Sequence, residues 1–228
     1  MTGENYIIFD CYQTLIYKKY INRTARQFFN REFNNKIPSN LITRSLGIMY
    51  ERHKFTHPKF TSAENREKYY ITYNKEFAAT MGLKLSDQQA RKLNQTLDAS
   101  TIYALYGDVP IILTYLAKKK TPLGIISNWT KSVEKILESL HIKDNFNFLC
   151  SSSELKYAKP DPRIFNCIPP RIKRGYKKIY YVGDDYELDV MPACQAGLIP
   201  ILLDRNKIYP AKIDCLKITS LIDLKHIV

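Results

Sequence analysis

Four polar clusters follow apolar runs in order along the chain, and each holds a residue able to bind or react. They are Asp10, Ser127-Asn128, Lys159-Pro160-Asp161, and Gly183-Asp184-Asp185 with Asp189. Asp10 comes directly after Tyr6-Ile7-Ile8-Phe9, a run too short for a helix and rich in strand formers. A strand that ends in a carboxylate puts it on the carboxyl edge of a sheet, where open α/β folds bind ligands. Taken singly, Asp10 reads as a turn cap, Lys159 as a surface lysine and Asp189 as a helix-start acid. Their succession lifts them above those readings.

The elements that must position these residues follow from periodicity. Ile21, Ala25, Phe28, Phe29 and Phe33 recur at helical spacing, and Ser39 can cap a second helix through Leu41, Ile42, Ile48 and Met49. Thr61-x-x-Glu64 resembles a capping box for a third helix that Gly82 stops, and Ser86-x-x-Gln89 repeats the signature for a fourth. This stretch reads as helix throughout. From Gly107 the texture alternates. Asp108 caps a helix, Leu123 to Ile126 is a buried strand, and Thr130 caps the next helix. Phe146 to Cys150 is a strand, and Pro162 to Ile168 a short helix ended by Pro169-Pro170. Lys178 to Val182 is a strand, Glu187 to Ala196 a helix closed by Gly197, and Ile199 to Leu203 a last strand. Strand and helix alternating with short joints imply right-handed crossovers and a parallel sheet. The expected fold is α/β: a Rossmann-like parallel core from residues 1–16 and 107–228, with an all-helical cap inserted at 17–106.

With 228 residues, 45% hydrophobic and 25% charged, the chain suits one globular core with a smaller appended domain. No apolar run approaches a membrane span, and no charged-then-apolar leader opens the sequence, so a cytoplasmic protein without a membrane partner is expected. Cys11, Cys150, Cys167, Cys194 and Cys215 are scattered without C-x-x-C spacing, which argues against a zinc site or a disulfide framework. The formal charge is +13, with short runs at Lys118-Lys119-Lys120 and from Arg171 to Lys178. No helix-turn-helix, zinc or RNA-binding signature accompanies it, so no nucleic acid is expected. A basic field still favours encounters with small anionic substrates.

The four clusters, in this order, resemble the motifs of the haloacid dehalogenase superfamily of hydrolases over nearly the whole chain. Family members read D-x-D-G-T-L where this chain has Asp10-Cys11-Tyr12-Gln13-Thr14-Leu15. The second motif matches Ile125-Ile126-Ser127-Asn128, the third Lys159-Pro160-Asp161-Pro162, and the fourth Val182-Gly183-Asp184 with Asp189. The resemblance implies that Asp10 is a nucleophile forming a covalent aspartyl intermediate that water cleaves. It implies Mg²⁺ held by Asp10, the Tyr12 backbone carbonyl and Asp184, with Asp189 supporting from behind these ligands. Lys159 offers a fixed ammonium, while Ser127, Asn128 and Thr14 belong to the site that holds substrate oxygens.

Two departures keep alternatives open. Where phosphatases of this family carry a second Asp as general acid, this chain has Tyr12, and Gln13 replaces the usual Gly. Tyr at that position resembles the metal-independent 2-haloacid dehalogenase branch, whose departing halide needs no proton; Arg44 in the inserted region fits that branch's substrate arginine. Asp184 points the other way, because dehalogenases usually have Ser there and three acids without a cation would repel one another. The leading expectation is a Mg²⁺-dependent phosphatase for a small phosphorylated metabolite. A 2-haloacid dehalogenase is the alternative, followed by a binding or regulatory member that has lost turnover.

Overall fold

The computed structural model describes residues 3–56 and 63–228. The chain opens with β1 (Gly3–Phe9) and β2 (Ile16–Lys19), then runs through helices α1 (Ile21–Glu32), α2 (Ser39–His53), α3 (Ala63–Ala79) and α4 (Asp87–Ala99). Strand β3 (Ile102–Leu105) leads to α5 (Val109–Lys118), β4 (Leu123–Ser127), α6 (Val133–Ser139) and β5 (Phe148–Ser151). The chain continues with α7 (Pro170–Gly175), β6 (Tyr176–Gly183), α8 (Met191–Gln195), β7 (Ile199–Leu203) and β8 (Leu216–Ile218). Contacts divide it into two compact units, one reaching Tyr17 and resuming from Tyr103 to Val228, the other Lys18–Ile102.

In the first unit six strands form one parallel sheet in the order β5-β4-β1-β6-β7-β8. Counted in sheet order, this is the doubly wound Rossmann arrangement, and its direction of winding reverses between β1 and β6. Side chains alternate across β1 because a strand has a period of two. Ile7 and Phe9 enter one core with Val109, Ile112 and Leu116 of α5, while Tyr6 and Ile8 enter the other with Ile164, Phe165 and Ile172. All five residues of β4 are buried, as a central parallel strand covered on both faces requires.

In the second unit α1 to α4 enclose Phe28, Phe29, Ile42, Met49, Phe77 and Leu93. Ser86 and Gln89 form the reciprocal capping box at the start of α4. The box expected at Thr61 lies outside the described residues. Among those described, no helix is long and apolar enough to cross a membrane.

The structure differs from the sequence reading in several elements. The stretch read as helix throughout is flanked by the paired strands β2 and β3, each only four residues long and too short to show a period. Pro170 does not merely stop the preceding 3₁₀ turn (Pro162–Cys167); it starts α7 from the first turn, where its missing N–H costs nothing. The helix expected from Glu187 to Ala196 is a π turn over Tyr186–Val190 followed by the short α8. Asp108 precedes α5 but gives its side chain no capping bond, because that carboxylate is taken by Arg205, Ser220 and Leu221.

Candidate active site

The site grows from the two strands at which the winding reverses. Phe9 is in register with Val182, and the Asp10 N–H donates to the Val182 carbonyl at 2.8 Å. Asp10 and Asp184 therefore leave neighbouring strands at almost the same level. After Asp10 the chain turns back at once, with the Leu15 and Ile16 N–H groups donating to the Cys11 carbonyl at 2.8 and 3.0 Å. This turn needs a left-handed residue, and Gln13 supplies it at φ 66°. A non-glycine residue there costs about 1–2 kcal/mol. Gln13 is held by its own N–H on the Ile16 carbonyl and by the Tyr106 hydroxyl, which donates to its Oε1 at 2.9 Å.

Lys159 arrives from the loop between β5 and α7 and reaches three acceptors. Its Nζ donates to Asp10 Oδ1 at 2.6 Å, to Asp189 Oδ1 at 2.5 Å and to the Tyr181 hydroxyl at 3.0 Å. Asn128, the last of the second motif, fixes the lysine backbone in both directions: Nδ2 donates to the Lys159 carbonyl and Oδ1 accepts the Lys159 N–H, each at 2.8 Å. Ser127, at the end of β4, is buried. Asp189 uses its other oxygen, Oδ2, to accept the Asp185 N–H at 3.0 Å.

The fourth motif divides its acids by task. Asp185 turns inward as the cap of the π turn, accepting the Glu187 and Leu188 N–H groups at 2.8 and 2.9 Å. Asp184 is half-buried and accepts the Thr14 hydroxyl at 3.1 Å. Gly183 is dictated by space: a Cβ there would lie 2.3 Å from Asp189 Cγ.

Oxygens of Asp10, Asp184 and Asp189 lie within 4.8 Å of one another. Such crowding makes ionisation costly. Burial, then the charge of Asp189, push the Asp10 carboxyl up to about 6 against the pull of Lys159. Burial, followed by Asp189 and Asp10, raises Asp184 well above the carboxylate range. Burial alone would lower Lys159, but Asp10 and Asp189 beside it raise it well above its ordinary value. The Lys159 ammonium thus meets two of three clustered carboxylates, whose oxygens are the donor type that Mg²⁺ and Ca²⁺ take.

Tyr12 is half-buried, its ring edge-on to Trp129 with centroids 5.6 Å apart, and Trp129 packs similarly on Tyr103 at 5.4 Å. Arg44 belongs to α2 in the Lys18–Ile102 unit, where it is exposed. Tyr181 carries no motif signal; only its place in β6, two residues before Gly183 and on the same face as Asp10, could have marked it. Arg205 also escapes motif reading.

The family model for haloacid dehalogenase-like hydrolases matches residues 7–202. An uncharacterized protein of Saccharomyces cerevisiae, YMR130W, is 25% identical over 223 residues, covering 89% of this chain and 72% of the yeast protein. The crystal structure of the HAD-hydrolase YfnB from Bacillus subtilis, bound to magnesium, superposes with a TM-score of 0.69 at 18% identity, covering 100% of this chain and 99% of that one. The L-2-haloacid dehalogenase RSc1362 superposes with a TM-score of 0.70 at 16% identity over the same shares. Likeness at this level shows the fold and does not choose between the two chemistries.

Proposed function

This chain belongs to the haloacid dehalogenase-like hydrolases, and from that premise we propose that it is a Mg²⁺-dependent phosphohydrolase acting on a small phosphorylated molecule through Asp10. The observation that carries this reading is the cluster of Asp10, Asp184 and Asp189, whose oxygens lie within 4.8 Å of one another. Hard oxygen donors outnumbering the single ammonium of Lys159 fit a divalent cation. Asp10, the Tyr12 carbonyl and Asp184 would hold it, and Asp189 would orient the set through Lys159 and the Asp185 N–H. When bound, the cation offsets the repulsion between a carboxylate and a phosphate dianion.

The steps performed by the chain itself then follow. The Asp10 carboxylate attacks phosphorus as the ester P–O bond breaks, and the departing oxygen takes its proton from water. Water next attacks the aspartyl phosphate, the bond to Asp10 breaks, and inorganic phosphate leaves. Lys159 holds the carboxylate ionised and oriented; Ser127 and the Asn128 N–H hold phosphate oxygens. The scattered cysteines, odd in number and without C-x-x-C spacing, fit a reducing, cytoplasmic setting.

Tyr12 favours a second reading, a metal-independent 2-haloacid dehalogenase, whose departing halide needs no proton donor. A site that had lost turnover is the third. Acid quenching of the protein with ³²P-labelled acetyl phosphate tests the first reading against the other two. The phosphohydrolase reading expects alkali-labile label on wild type with Mg²⁺ and none on Asp10→Asn. Absence of label from wild type, together with absence of phosphate release, contradicts it.

A further inference from the structure

Arg205 lies two residues beyond β7, outside every motif, and its side chain is only 16% exposed. Its Nη1 donates to Asp108 Oδ2 at 2.7 Å and its Nη2 to Asp108 Oδ1 at 2.9 Å. The same Nη2 donates to the Thr14 carbonyl at 2.9 Å. The guanidinium carbon stands 4.0 Å from the centre of the Tyr106 ring. Tyr106 in turn grips the nucleophile loop twice: its hydroxyl donates to Gln13 Oε1 at 2.9 Å, and its N–H to the Leu15 carbonyl at 3.2 Å. Asp108 is itself anchored by the Ser220 hydroxyl at 2.9 Å and the Leu221 N–H at 2.8 Å.

A fork-on-fork pair with Asp108 would by itself join β7 to the start of α5. The guanidinium does more. It turns one nitrogen toward the Thr14 carbonyl, while its buried Nε has no partner among the described residues. The effect falls on Gln13, Thr14 and Leu15, the three residues that follow Tyr12. Thr14 carries it into the site, because its hydroxyl donates to Asp184 Oδ1 at 3.1 Å.

We propose that Arg205 is a positioning residue: through Thr14 and Tyr106 it sets the placement of the Tyr12 carbonyl and of Asp184 for metal binding. This role rests on the Mg²⁺ reading above. Arg205 acts from behind the loop, reaching Thr14 through its backbone carbonyl while the Thr14 hydroxyl meets Asp184. Lysine cannot replace it, since one ammonium has no planar fork for Asp108 and no second nitrogen for Thr14.

The test is Mg²⁺ binding to the full chain by titration calorimetry, read beside amide hydrogen exchange at Leu15 and Ile16. Arg205→Met is expected to weaken Mg²⁺ by about 10–100-fold, the range seen when supporting partners of metal ligands are removed. Both amides should exchange faster. Arg205→Lys keeps the charge and guards against simple unfolding; it should show a smaller loss in the same direction. Ser220→Ala removes an anchor of Asp108 without touching Arg205, and should lower the melting temperature while leaving Mg²⁺ affinity within about twofold. Wild-type binding with undisturbed affinity and exchange in both Arg205 variants overturns the positioning role alone. Equal weakening in Ser220→Ala overturns it too, since general loosening then explains the effect. A wild type that binds no Mg²⁺ overturns the metal reading together with this role.

Discussion

Lys159 holds its ammonium 2.6 Å from Asp10 Oδ1 while both side chains are almost wholly excluded from water, at 4% and 8% exposure. Breaking a buried pair by removing one partner strands the other charge and costs about 3–5 kcal/mol. Lys159→Met should therefore lose stability of this order at neutral pH in chelator, read by urea unfolding. Turnover should fall by at least about 100-fold, as when an electrostatic stabiliser is removed from an active site. A variant as stable and active as wild type would mean that the lysine is dispensable to the cluster.

The same cluster ties metal binding to pH. Asp10 is raised from 3.8 to about 6, chiefly by burial. A carboxyl raised in the folded state favours folding while it is protonated; that contribution is complete below 3.8 and is lost as pH rises through about 6. Mg²⁺ needs the ionised form and so competes with the proton. Saturating Mg²⁺ should raise the melting temperature more at about pH 7.5 than at about pH 5, the hundredfold-excess effect being about 2.7 kcal/mol at the higher pH. Equal shifts at both pH values would show that the cation does not displace protons from these carboxylates.

Gly183 owes its identity to Asp189 rather than to its own backbone. A Cβ at that position would stand 2.3 Å from Asp189 Cγ and 2.5 Å from its Cβ. Gly183→Ala must push Asp189 away from Lys159 and from the Asp185 N–H. The expected result is a loss of about 1–3 kcal/mol, as for other overpacked sites, together with weaker Mg²⁺ activation. Unchanged unfolding and unchanged activation would show that the Asp189 side chain can step aside freely.

Tyr12 stands where the proton donor of this family's phosphatases would be, so leaving groups that depart as stable anions should be preferred. Aryl and acyl phosphates should be hydrolysed much faster than sugar phosphates. Tyr12→Asp should speed alkyl phosphate hydrolysis by up to about 10²–10⁴-fold, the usual worth of general acid catalysis, and aryl phosphates far less. The gain will be smaller to the extent that removing the ring from Trp129 unsettles the loop. If neither rate changes, the missing acid does not limit this enzyme.

Much of the fold was legible because its signals are local. Tyr6 to Phe9 and Leu123 to Ile126 are apolar runs of strand length, and Ser86-x-x-Gln89 names its own cap. The parallel sheet followed from their alternation with helices. What escaped depends on distant partners. Asp108 looks like a helix cap until Arg205, 97 residues away, claims its carboxylate. Asp184 and Asp185 are adjacent identical residues, and only the π turn after them assigns one to the site and the other to the backbone. Tyr181 is one of several aromatics in a strand, marked only by the lysine that reaches it. Strands β2, β3 and β8 hold three or four residues each, too few to carry a period.

On the proposed reading, the three clustered carboxylates serve metal-dependent phosphoryl transfer from a substrate to Asp10. The deciding measurement compares phosphate release from p-nitrophenyl phosphate with chloride release from L-2-chloropropionate, each with Mg²⁺ and with a chelator. The expected result is phosphate release that falls by at least about 100-fold in chelator, as electrostatic stabilisation is withdrawn, with no chloride release in either condition. Chloride release that is indifferent to chelator, without phosphate release, would instead make the protein a metal-independent dehalogenase.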